Sequence, residues 1–192
     1  LGIGFETTAP TSATAIVQAK KRNLTNFKLL SSHKIMPPAM TALIDEGVGI
    51  DGYICPGHVS MVTGSTIYEE IARKYRRACV ISGFEPLDIL MSIHMLVRQL
   101  ETNEPGVEIQ YSRAVRPEGN RKARDMIEEV FEPRDDWWRG LGCLPNSGLG
   151  IRPAYAAFDA EKTIEVEIEK TRETPGCICG EILKGVKTPR DC

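Results

Sequence analysis

The feature that most constrains this chain is an alternation, across residues 1–102, of short β-branched runs with amphipathic helical stretches. Residues 1–5 read as the end of a strand, and residues 8–22 as a helix with Pro10 in its first turn. Residues 28–32 form the next short strand. Pro37-Pro38 then opens a helix whose apolar face carries Met40, Leu43 and Ile44 and which Gly47 ends. Strands follow at 52–55 and 78–82; between them Thr66 and Glu69 have the spacing of a capping box for a helix to about Arg76. Pro86 opens a long helix to about Glu101. Strands and helices that alternate through short connections predict an α/β fold, a mostly parallel Rossmann-like sheet with helices on both faces.

The remainder is less regular. A strand within 107–115, a helix at 119–131 and an extended stretch at 149–158 are expected. Residues 161–171 alternate charge with Ile164, Val166 and Ile168, a pattern open to strand or helix. From Thr174 the chain turns rich in Gly, Pro and Cys. The domain organisation expected is an α/β domain over 1–115, the rest of the core with a return towards a preceding domain over 116–173, and the start of a cysteine-rich region over 174–192. Leu1 and Cys192 both look like cut ends, so the sequence reads as a piece of a longer protein.

Composition excludes two classes. Lys plus Arg number 24 against 26 Asp plus Glu, a net charge of −2, and the basic residues are scattered; this is not the footprint of a nucleic-acid binder. No apolar run approaches the ~18 residues of a membrane helix, and a cytoplasmic location is expected. Cys55 and Cys79 lie in apolar strand-like runs and read as buried free thiols. Cys143 follows a Gly-Leu-Gly turn and is uninformative.

Ligands of parallel sheets bind outside the carboxyl ends of the strands. Four polar or Gly-rich loops fall there: Gly4-Phe5-Glu6-Thr7-Thr8-Ala9-Pro10, Ser31-Ser32-His33-Lys34, Pro56-Gly57-His58-Val59-Ser60 and Ser82-Gly83-Phe84-Glu85-Pro86. Each alone is explained by turn and cap chemistry; together they are expected to line one cleft. The candidates are Glu6, Thr7, Thr8, His33, His58 and Glu85, with His58 foremost because the Pro-Gly turn before it lets the side chain be aimed. His94, on a helix face with Leu87, Leu90, Met91 and Val97, reads instead as a packed core histidine.

Gly47-Val48-Gly49-Ile50-Asp51-Gly52 matches G-x-G-x-x-G literally, but a helix precedes it and a strand follows, the reverse of what dinucleotide binding needs. More informative is Cys177-Ile178-Cys179-Gly180, with Cys192 following Cys179 after a twelve-residue gap. Thiolates close together in a Gly/Pro-rich segment suit a soft metal or an iron-sulfur cluster, with free or redox-active thiols as the other reading.

Several segments carry a family resemblance: GFETTAP at 4–10, SSHKIMP at 31–37, DGYICPGHVS at 51–60, GFEP at 83–86, YSRAVRPEGN at 111–120, WRGLGCLPNSG at 138–148, and the tail from Cys177 to Cys192. Over essentially its whole length the chain resembles HypD proteins, which act in nickel-iron hydrogenase maturation. The resemblance implies a metallocentre assembly scaffold and redox partner. With a small HypC-type chaperone it would hold an iron carrying two cyanides and one carbon monoxide. A HypE–HypF pair would supply the cyanide, and the hydrogenase large subunit would receive the iron unit. It also implies a [4Fe-4S] cluster held by cysteines spaced C-x12-C-x6-C-x16-C. Cys179 and Cys192 match the first two positions, and Cys177 is the neighbour easily mistaken for Cys179. The family's iron-carrying cysteine and its N-terminal thiol pair are implied to lie before Leu1, and the other two cluster ligands after Cys192. Such a protein is expected to be a scaffold with a redox function rather than a turnover enzyme. The competing expectation is a small-molecule-binding α/β enzyme with Glu6 or Glu85 and His58 as an acid-base pair.

Overall fold

A computed structural model describes residues 1–165 and 174–192. The 161–171 stretch therefore lies partly outside the described residues. The chain forms two compact units, one of Leu1–Gly49 with Met126–Cys192 and one of Ile50–Asp125; the sequence pattern marks no boundary near residue 50.

The first unit opens with β1 (Gly2–Gly4), α1 (Ala9–Lys21), β2 (Ser31–His33) and α2 (Met36–Asp45). β1 and β2 pair in parallel, Gly2 with Ser31 and Gly4 with His33. Both helices have Pro in the first turn, where the missing N–H costs nothing. α1 turns Ala13, Ile16 and Val17 inwards, against Phe131, Leu149 and Tyr155 from the end of the chain.

The second unit is β3 (Gly52–Pro56), α3 (Gly57–Thr63), α4 (Glu69–Tyr75), β4 (Ala78–Ser82), α5 (Pro86–Thr102) and β5 (Val107–Ile109). Its strands form a parallel sheet in the order β3-β4-β5. All five residues of β4 are buried, as befits a central parallel strand. Cys55 and Cys79 are buried and free, as the sequence suggests.

α6 (Arg121–Val130) carries the chain back to the first unit, where β6 (Phe131–Trp138) and β7 (Gly142–Ile151) form an antiparallel hairpin with an irregularity between Arg134 and Asp136. A 3-10 segment at Pro153–Phe158, α7 (Ala160–Thr163) and α8 (Cys179–Leu183) follow. The molecule is thus mixed α/β, with helix-flanked parallel sheets, an antiparallel sheet and an irregular C-terminal region.

Several local expectations need correcting. The extended stretch at 149–158 is strand only to Ile151 and a 3-10 turn from Pro153, and the strand at 107–115 stops at Ile109, after which the backbone turns at Gln110–Ala114. Pro56-Gly57-His58 is not a free loop: it starts α3. Thr66 opens a 3-10 turn without a side-chain cap, and α4 begins only at Glu69. A reciprocal capping box forms instead between Glu85 and Asp88, at the start of α5. His94 is exposed, not packed, because α5 faces the other way from the one its apolar residues suggest.

Candidate functional site

Two of the four candidate loops, 4–10 and 31–34, belong to the first unit, and the other two, 56–60 and 82–86, to the second.

In the first unit Glu6 is only 6% exposed. Its Oε1 accepts the Met36 N–H at 3.0 Å. Pro37 and Pro38 have no N–H, so Met36 is the donor that the first turn of α2 offers, and Glu6 caps that turn from thirty residues away. Its Oε2 is buried without a partner. Burial pushes the Glu6 carboxyl above the ordinary carboxylate range, against the Met36 hydrogen bond. Thr8 sits at the N-cap of α1, but its hydroxyl donates backwards, to the carbonyls of Phe5 at 3.1 Å and Ile3 at 3.3 Å. Gly4 permits this fold-back: its φ is +136°, and a Cβ there would lie 2.3 Å from Thr8 Oγ1. Thr7 is half-buried beside them.

His33 is 1% exposed and packs against Phe131, ring centroids 5.5 Å apart. The hydroxyl of Ser31 lies 3.1 Å from its Nδ1 and that of Ser12 3.1 Å from its Nε2. Ser31 donates its one hydrogen to the Leu149 carbonyl at 2.7 Å, so towards His33 it can only accept. That assigns the proton to Nδ1 and leaves Nε2 to accept from Ser12. Burial lowers the imidazole pKa, and the neutral ring fits this network.

The second unit presents a different arrangement. Its three parallel strands bring the segments after Pro56, Ser82 and Ile109 to one edge. His58, in the first turn of α3, is exposed, and its ring lies 4.2 Å from Phe84. Phe84 meets Tyr111 edge-on at 6.2 Å, and the Arg113 guanidinium lies 4.5 Å from the Tyr111 ring centre. Tyr111 is fixed between two glycines: a Cβ on Gly57 or on Gly83 would come within 2.8 Å of its ring.

Asp88, 4% exposed, fixes the other end of this strip. It takes Arg113 in a fork, Nη1 to Oδ1 at 2.8 Å and Nη2 to Oδ2 at 2.6 Å. Gln110 donates to Oδ1 at 3.0 Å and the Glu85 N–H to Oδ2 at 3.3 Å. Arg113 above all, then Gln110, hold the Asp88 carboxyl well below the usual carboxylate range. Glu85 is exposed; it caps α5 and lies 3.8 Å from Arg113. No hydrogen bond joins Glu85 to His58 among the described residues, so the acid-base pairing of the enzyme reading is not formed there. Of this strip, sequence reasoning singles out His58 but not Phe84, Tyr111, Arg113 or Asp88, whose Asp88–Arg113 fork spans twenty-five residues.

The cysteine segment belongs to the first unit. The Cys177 and Cys179 sulfurs are 3.3 Å apart, and Arg139, in the β6–β7 turn, donates to Cys177 Sγ at 3.7 Å. The Cys179 N–H and thiol, then Arg139, lower the Cys177 pKa; the shared hydrogen raises that of Cys179. Gly140 and Gly180 press their backbones together, since a Cβ on Gly140 would stand 2.6 Å from the Gly180 nitrogen. Lys184 pairs with Glu46. These contacts moor the segment to the β6–β7 turn and to the end of α2. Cys192 is exposed. The soft thiols suit iron-sulfur chemistry, but among the described residues no group of three His, Cys, Asp or Glu is arranged to hold a metal ion. No described helix is long and apolar enough to cross a membrane.

Residues 1–192 match the family model described as HypD, hydrogenase formation hypA family. Among curated proteins, the hydrogenase maturation factor HypD of Azotobacter vinelandii is 46% identical over 197 residues, covering 99% of this chain and 52% of its own length. HypD of Cupriavidus necator is 44% identical over 200 residues, covering 100% and 53%. HypD of Rhodobacter capsulatus is 43% identical over 197 residues, covering 100% and 52%. The chain spans about half the length of the curated relatives it matches.

Proposed function

Because the chain belongs to the HypD family, we propose that its protein acts in the cytoplasm in nickel-iron hydrogenase maturation, as an assembly scaffold and redox partner. Its cargo is an iron carrying two cyanides and one carbon monoxide, held together with a HypC-type chaperone. The cyanide comes from a HypE–HypF pair, and the loaded iron goes on to the hydrogenase large subunit. The observation that carries this reading, beyond family membership, is the moored thiol segment, with Cys177 and Cys179 in sulfur contact against the Gly140 turn. Cys179 and Cys192 would be two of four ligands of a [4Fe-4S] cluster, which supplies single electrons when bound. Arg139 keeps a positive charge beside the segment. The strip His58–Phe84–Tyr111–Arg113 is the surface we assign to contact with cargo or partner; Glu6 and Thr8 shape the turn before α1, and Thr7 stands within it.

The test uses the full-length protein, purified without oxygen. It should be brown with a broad cluster absorption, which Cys179→Ser or Cys192→Ser bleaches. A colourless protein with stoichiometric zinc sinks the cluster assignment. Purified together with its HypC-type chaperone, it should show infrared bands of iron-bound cyanide and carbon monoxide; a competent preparation without them favours the small-molecule enzyme.

A further inference from the structure

At the amino edge of the second unit's parallel sheet, away from the His58 strip, a cleft of about 570 Å³ opens between α4 and the start of β5. That volume is in the range of small-molecule sites. Ser65, Glu69, Arg73, Arg76, Gly106 and Val107 line it. Ser65 is only 8% exposed. It precedes the 3-10 turn at Thr66–Tyr68 without capping it, and its hydroxyl has no hydrogen bond among the described residues. A hydroxyl buried at the wall of a cleft without a partner is costly unless something in the cleft bonds it.

Two cations stand beside it. Arg73 is exposed and forms no ion pair or hydrogen bond among the described residues. Arg76 caps the end of α4 in the left-handed region, at φ +51°, which a residue with a Cβ seldom adopts. Its Nη2 donates to the Asn103 carbonyl at 3.0 Å and to Asn103 Oδ1 at 3.3 Å. That clasp holds the guanidinium at the cleft and leaves Nη1 and Nε to donate. Gly106 keeps the space open. Its N–H donates to Gln99 Oε1 at 2.8 Å and its carbonyl accepts from the Cys79 N–H at 2.9 Å. Its φ is not positive, and a Cβ there would meet nothing within 4 Å. Neither backbone conformation nor packing requires glycine at this position, and a side chain would stand in the cleft.

Two guanidinium groups and a hydroxyl supply donors that match the oxygens of a phosphate. Glu69, one helical turn before Arg73, is the acceptor of the set: it repels a bare dianion and favours a ligand that also carries hydroxyls. Among the described residues no aromatic ring lines the cleft, so a nucleobase has nothing to stack on. We propose that this cleft binds a sugar phosphate, with Arg73, Arg76 and Ser65 on the phosphate and Glu69 on a sugar hydroxyl. The site is separate from the His58 strip and the thiol segment, and it stands without the assembly reading.

The test is calorimetric titration of the full-length protein with glucose 6-phosphate, inorganic phosphate, succinate and AMP, each in turn. Glucose 6-phosphate should bind most tightly, with inorganic phosphate a weaker competitor. Arg73→Ala should weaken glucose 6-phosphate by about tenfold or more, and Gly106→Val should abolish its binding. Glu69→Gln should weaken the sugar phosphate and leave inorganic phosphate as it was or tighter. The thermal midpoint of each unbound variant should match wild type. If a side chain at 106 disturbs β5, Arg73→Ala decides alone, because Arg73 is exposed and unbonded. Wild type that binds no phosphate compound overturns the proposal, as does an affinity that Arg73→Ala leaves unaltered. Succinate binding as tightly as glucose 6-phosphate would make this a carboxylate site, and AMP binding more tightly would mean a base is read; either outcome overturns the sugar-phosphate assignment.

Discussion

His33 and His58 each stand at the carboxyl end of a parallel strand, one in each unit, and their surroundings are opposite. His33 is sealed, with a serine hydroxyl on each ring nitrogen and Phe131 against its face. His58 is open, and its described contact is the Phe84 ring. The carboxylates run the other way. Glu6 is buried with one oxygen unpartnered, whereas Asp88 has both oxygens bound by cations, amides and backbone. A polar residue at the edge of a parallel sheet thus serves the fold where its bonding capacity is used up inside. It is available for recognition where ordered neighbours hold it at the surface.

The largest effect tests the sealed side. His33→Ala removes a buried ring and leaves Ser12 and Ser31 facing a cavity, which should lower the unfolding free energy by about 3 kcal/mol. Denaturant titration measures it; a loss under about 1 kcal/mol would move His33 out of the core. Wild type should also show a pH signature. The folded imidazole binds its proton less readily than the unfolded one, whose pKa is near 6.5. The unfolded state therefore holds more protons as pH falls below that value, and stability drops with it. The alanine variant should lack that limb.

Asp88 is the corresponding test of the open edge. Its folded pKa is depressed, so its contribution is fully present above the unfolded value near 3.8 and is lost as pH falls towards the folded one. Asp88→Asn should give up that contribution at neutral pH, and wild type and variant should converge in acid. The variant should also free Arg113 and loosen Tyr111, visible as faster hydrogen exchange in the segment after β5. Curves that stay parallel down to strong acid would mean the fork adds no stability.

A smaller effect is expected at Glu6. With its folded pKa raised above 4.5, the folded state keeps a proton that the unfolded state has released, so wild-type stability steps down as pH rises through that window. Glu6→Gln retains an oxygen for the Met36 N–H and should erase the step, with a change at neutral pH of about 1 kcal/mol or less. A step of unchanged height in the variant would assign it to another group.

The sequence made some of this plain and concealed the rest. β4 was readable because Ala-Cys-Val-Ile-Ser is a continuous buried run, and the α1 and α5 starts were readable from Pro10 and Pro86. The β6–β7 hairpin was hidden by Pro133 and the charges of Arg134, Asp135 and Asp136, which a two-stranded ribbon with one irregularity tolerates. α5 taught the sharper lesson. Hydrophobic periodicity shows that a helix has an apolar side and not which way it faces; the deciding partners, Arg113 for Asp88 and Glu108 for Gln99, lie elsewhere in the chain. Likewise His58 stood out from its Pro-Gly turn, while Tyr111 and Arg113 join the strip only through folding.

The smallest expected effect on stability is the most informative about function. His58 is exposed, and the stack against Phe84 is worth little to the fold at a wet surface, so His58→Ala should shift stability by no more than about 0.5 kcal/mol. Hydrogenase maturation by the full-length protein should nonetheless fall, because the ring's place at the end of the strip is what a cargo or partner would meet. His58→Phe separates shape from chemistry: if it restores maturation, the imidazole serves as a flat apolar contact, and if it fails while stability holds, a nitrogen is required. An alanine variant that matures hydrogenase normally would remove His58 from the site. One that unfolds readily would place it with His33, as a residue of the fold.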